Sequence, residues 1–196
     1  MKNKSHLKPF LALVLAIAIA ATGCSAQWIN VALQDLPVLT QMALNIATLV
    51  SALASGQQAN SADVAVIQNI SAQASRDLNL LQSLYNEYKA SPSTTTLQKI
   101  QSVISDLNQN LPALLQSAHV SNATLSARIA AAVNLILTTV NSFASLMPQS
   151  TPTAARKTAA SPLLHPKDLK KQWNQQVCAP TGNPALDAAF AQTVLR

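Results

Sequence analysis

Between Leu36 and Met147, apolar residues recur at spacings of three and four in four separate stretches. Leu36, Leu39, Ala43, Ile46, Val50 and Leu53 form the first seam, and Val64, Ile67, Ile70, Ala74, Leu78, Leu81, Leu84, Tyr85 and Tyr88 trace the second. Leu97, Ile100, Ile104, Leu107, Leu111, Leu114 and Ala118 follow, then Leu125, Ile129, Val133, Ile136, Val140, Phe143 and Met147. A strand places alternate residues on one face, whereas this spacing lines one side of an α-helix. Seams of this kind are buried against one another. The expected fold is all-α, an up-down four-helix bundle over residues 36–148.

The breaks between the stretches carry helix stop and start signals. Ser55-Gly56 ends the first, and Ser61 is placed to cap the second, with Asp63 in its first turn. Ser91-Pro92 closes the second, the third begins near Thr95, and Ser121 or Asn122 opens the fourth, which Pro148 ends. Asp35 reads as the cap of the first helix, with Pro37 tolerated in its first turn. Residues 24–35, with Trp28 and Ile29, read as a short helix or a tether. Leu36-Pro37 is echoed by Leu111-Pro112, which suggests that the first helix extends back toward Trp28 with a kink. Pro112 lies well inside the third helix and predicts a kink or break there. Tyr85 and Tyr88 are expected to keep their hydroxyls wet.

Upstream of the bundle, Lys2, Lys4 and Lys8 precede an unbroken apolar run from Phe10 to Ala21. That run is too short for the ~20 apolar residues of a spanning helix and fits a signal peptide. It ends in Ala21-Thr22-Gly23-Cys24. This stretch resembles the lipobox of bacterial lipoproteins, with small side chains beside the cut and a cysteine thiol to take the diacylglyceryl group. The resemblance covers residues 1–24 and implies a signal peptide over 1–23, lipidation of Cys24 and a membrane partner through the acyl anchor. Ser25, where enterobacterial lipoproteins with inner-membrane fate carry Asp, implies outer-membrane sorting. Ala21 stands where Leu is commonest in the family. A secreted or periplasmic soluble protein, cleaved after Cys24-Ser25-Ala26, is therefore the alternative.

The net charge of +6 is unevenly spread. Residues 24–150 hold four basic side chains (Arg76, Lys89, Lys99, Arg128) against five acids (Asp35, Asp63, Asp77, Glu87, Asp106). The excess lies in the signal segment and after Thr151, so nothing resembles a nucleic-acid-binding domain. Charged residues make up 10% of the chain, against about 25% in an ordinary soluble domain. Ser, Thr, Asn and Gln cover the surface instead, which with near-heptad seams permits a homo-oligomer. Pro152, Pro162 and Pro166 mark an extended linker over 149–166. Residues 167–196 then form a basic tail of two short helices, the second opened by Asn183-Pro184.

Lys167, Lys170, Lys171 and Trp173 are the candidate contact with an anionic lipid or an acidic cell-wall polymer. The alternative is a small helix that docks Leu169 and Trp173 on the bundle and leaves its lysines solvated. An even number of helices returns the chain to its starting end, which would bring the tail near the membrane. Phosphate-cradling loops and nucleophile elbows need clustered glycine, and the whole chain has three. His119 and His165 have no partner at ligand spacing, so no metal, cofactor or catalytic residue is assigned. Cys178 as a nucleophile would need His165 as its base. The expected role is structural or interactive at the bacterial cell envelope, without catalysis. The rivals are a membrane-active or lipid-binding bundle and an enzyme of unknown type.

Overall fold

A computed structural model describes residues 7–55, 61–117, 122–147 and 164–196. The described residues form six α-helices: α1 (Leu7–Ser55), α2 (Ser61–Ala90), α3 (Thr94–Ser117), α4 (Ala123–Leu146), α5 (Pro166–Gln176) and α6 (Pro184–Ala191). Most of the expected linker, residues 149–163, lies outside the described residues, as does His119.

The first four helices pack in a ring. α1 lies on α2, α2 on α3, α3 on α4, and α4 returns to α1. Their directions alternate, as side-chain pairs at both ends show. Gln68 Nε2 of α2 donates to Ser51 Oγ of α1 at 2.7 Å, while Trp28 of α1 meets Tyr85 of α2 edge-on, ring centroids 5.5 Å apart. Across the α2–α3 corner, Thr96 Oγ1 donates to Glu87 Oε1 at 2.7 Å. Asn108 of α3 and Asn141 of α4 exchange two amide hydrogen bonds at 2.9 Å. The seams read from the sequence fill the core: Leu39, Ile46, Ile67, Leu78, Leu81, Ile100, Leu107, Leu114, Ile136 and Val140 are fully buried.

The ends of these helices follow local chemistry. Ser93 Oγ accepts the Thr96 amide at 3.0 Å, and Asn122 Oδ1 accepts that of Leu125 at 3.1 Å, so both side chains satisfy first-turn donors. α3 runs through Pro112 as one helix, so of the kink or break expected there a break is excluded. The Asn108 side chain bonds the Ile104 carbonyl and Asn141 one turn before Pro112, which ties this part of α3 to α4.

At the start of the first helix the extension back toward Trp28 is observed, whereas the tether and the Asp35 cap are not. Segment 24–35 is helical and its apolar side packs: Trp28, Ile29 and Ala32 are buried with the core. These residues carry the α1 stripe about two turns back from Leu36, and burying it favours helix over tether. Asp35 is therefore not a cap. It lies mid-helix, where no first-turn amides are free, and it is fully buried. Pro37 falls inside α1, where it cannot donate to the Leu33 carbonyl, but it faces solvent and its ring stays out of the core.

The core also holds polar atoms without a protein partner. Both Asp35 carboxylate oxygens, Trp28 Nε1, Ser71 Oγ and the Tyr85 hydroxyl are buried in this state. Tyr85 sits between Trp28 and Phe143, both edge-on to its ring, so its hydroxyl is not wet as expected. Burial raises the Tyr85 hydroxyl pKa and pushes Asp35 up to about 7.

Candidate functional site

α5 and α6 pack on the bundle, α5 against both α1 and α4 and α6 against α1. Pro166 occupies the first turn of α5 behind His165, and Asn183 caps α6 by accepting the Ala185 and Leu186 amides. The turn between them places Gly182 at φ +79°, a conformation glycine adopts without strain. Asp187 accepts from the Thr181 amide and hydroxyl, both at 2.7 Å, and these bonds hold its carboxyl below the usual range. Leu169, Trp173, Val177, Leu186 and Phe190 then form one apolar patch buried against the bundle.

Two polar anchors fix that placement. The Thr193 carbonyl accepts from Asn45 Nδ2 of α1 at 2.9 Å and from Trp173 Nε1 of α5 at 2.8 Å, both buried. Arg128, near the start of α4, donates to the carbonyls of Gln176, the last residue of α5, and of Ala179 just beyond it. Asn174 adds a reciprocal pair with the Leu195 main chain, at 2.8 and 2.9 Å.

The basic cluster expected as one surface is divided by this packing. Trp173 is fully buried and spends its N–H on Thr193, so it is a core residue and cannot contact a lipid or polymer surface. Lys167 and Lys171 are exposed, while Lys170 turns along the chain end and donates to the Arg196 main-chain oxygen at 2.6 Å. The position of the tail along the bundle also needs correction. Phe143 lies at the Trp28 end, as an even helix count requires. Trp173, however, sits level with Asn45, 17 residues along α1 from Trp28, or about 25 Å at ~1.5 Å per residue. The tail lies along the flank of the bundle because its apolar patch has the α1–α4 seam to cover.

Between α1 and the chain end lies an open groove of about 450 Å³. Pro37, Val38, Gln41 and Asn45 form its α1 wall, and Lys170, Gln192, Val194, Leu195 and Arg196 form the other. Gln41 donates to Asn45 Oδ1 at 2.9 Å, which orients the amide that holds Thr193. The α1 wall is thus pinned to the segment behind the other wall by one buried hydrogen bond, from Asn45 to Thr193.

The other reactive candidates are not assembled. Cys178 is half-buried, 3.5 Å from Thr193 Oγ1, and burial pushes its thiol up, away from the reactive thiolate. His165 precedes α5 and Cys178 follows it, so the helix holds them about 16 Å apart. Among the described residues no three His, Cys, Asp or Glu side chains gather as a metal site would require. α4 is long and apolar enough to span a membrane, with a mean hydropathy of 1.6, but Leu125, Ile129, Val133, Ile136, Val140 and Phe143 face the core. Ala21, Thr22, Gly23 and Cys24 fall within α1, and their side chains are outside the described residues.

Sequence reading missed Asn45, Arg128 and Arg196. Each acts through partners more than 20 residues away, and no local spacing signals such a pairing. Comparison with protein-family models, curated proteins and solved structures finds no match to this chain.

Proposed function

We propose that this chain is a bacterial lipoprotein whose helical bundle has a structural or interaction role at the cell envelope. The observation that carries the reading is Ala21-Thr22-Gly23-Cys24 directly after the apolar run ending at Ala21. Trp28, four residues beyond Cys24, is packed in the core, which gives such an anchor a specific geometry. Four helical residues rise about 6 Å, so the acyl chains would hold the body close against the membrane. Lys167 and Lys171 would then stand well above the lipid surface, placed for an acidic cell-wall polymer rather than for the headgroups beneath.

The test is the intact mass of the mature protein extracted from membranes. A chain that starts at Cys24 with added acyl mass, lost in Cys24→Ser, is expected. A mature chain starting elsewhere without added mass overturns the reading and leaves a secreted bundle. The hydropathy of α4 favours a second reading, in which that helix enters the bilayer. Dye release from anionic vesicles by the mature protein would support it.

A further inference from the structure

We propose that the groove between α1 and the chain end is a binding site for a small single-chain anionic amphiphile, a phosphate or carboxylate head on a short alkyl tail. Its volume of about 450 Å³ lies in the ~300–1,000 Å³ range of small-molecule sites. Among the described residues no Asp or Glu side chain lines it, while Lys170 and Arg196 both do. A carboxylate at Arg196 would still leave the lining net positive. Lys170 uses one N–H on the Arg196 oxygen and keeps two for a ligand. That bond also holds the ammonium at the groove instead of free in solvent.

The apolar part has a matching surface. Val194 is 43% exposed and lines the groove with Val38 and Leu195, so the groove offers an accessible apolar surface. A head paired with Lys170 and Arg196 leaves an attached tail within reach of these three. The walls need no rearrangement, because Asn45 and Trp173 already fix Thr193 beneath them. Such preorganisation reduces the ordering cost of binding. The inference does not depend on lipidation of Cys24, and it places Lys170 in a recess instead of on a membrane surface.

The experiment titrates the full chain, held in neutral phosphatidylcholine nanodiscs, with hexyl phosphate and follows heat and tryptophan emission. Saturable one-to-one binding is expected, with hexanol and inorganic phosphate each at least about tenfold weaker, since each offers half of the recognition. Lys170→Met and Arg196→Gln should each weaken hexyl phosphate by about two- to fivefold, the effect of one partly solvated ion pair. Val194→Asp, at an exposed position, should abolish binding while the circular dichroism stays unchanged. Lys171→Met, outside the groove, should change nothing. Absence of saturable binding overturns the proposal, as does equal binding of hexanol or indifference to the Lys170 and Arg196 substitutions. Retention on phosphatidylglycerol vesicles without hexyl phosphate binding would also overturn it, assigning the cations to a membrane surface.

Discussion

Asp35 predicts that this protein loses stability as the pH rises from acid to neutral. Its carboxyl is fully buried, neither oxygen has a protein partner, and burial alone raises its pKa from 3.8 to about 7. In the unfolded chain the group ionises near 3.8, so between pH 4 and pH 7 the folded state binds one more proton than the unfolded state. Unfolding free energy then falls with slope about 1.4 kcal/mol per pH unit over that window and levels off above it. A shift of about three units amounts to about 4 kcal/mol, a large share of the ~5–15 kcal/mol that holds a domain together. Asp77, also raised by burial, adds a slope of the same sign, so the test is a difference between variants. Urea unfolding followed by circular dichroism from pH 4 to pH 8.5 should show wild type weakening through this range. Asp35→Asn, which keeps the shape and removes the charge, should match wild type within about 1 kcal/mol at pH 4 and exceed it by several at pH 8. A wild-type profile that is flat or rising, or an Asn variant that keeps the full slope, would refute the reasoning.

Two further substitutions probe the packing. Tyr85→Phe removes a buried hydroxyl that has no protein partner while keeping the ring between Trp28 and Phe143, and should raise stability by about 1–2 kcal/mol in chemical denaturation. Arg128→Met removes two hydrogen bonds to the segment after α5 and should speed amide exchange across residues 176–196 about tenfold or more, with exchange in α2 and α3 unchanged.

The helical seams were legible because each records one face of one element, and burial of Leu39, Ile67, Leu107 and Ile136 follows from period alone. The start of α1 was misread for a local reason. Asp-Leu-Pro is a good helix opening when taken by itself; the Leu-Pro echo pointed to a helix already under way, and the packing of Trp28 on Tyr85 decides between the two. Trp173 beside three lysines has the same ambiguity, since snorkelling lysines border buried and membrane-facing apolar residues alike. The groove was not legible at all. It joins α1 to residues about 150 positions later, and its floor depends on one carbonyl whose two donors come from different helices.

A ring of four consecutive helices has three neighbouring pairs joined by loops and one pair, α1 with α4, joined by none. α5 lies across that pair, touching both members. It acts as a bolt across the pair that no direct connection holds together. Any motion that parts α1 from α4, including one that would free the apolar α4, must first withdraw Trp173 and break the Asn45 and Arg128 anchors. Whatever loosens residues 166–196, whether proteolysis or a partner pulling on them, therefore gains control over the opening of the bundle, and a ligand in the preformed groove would oppose it.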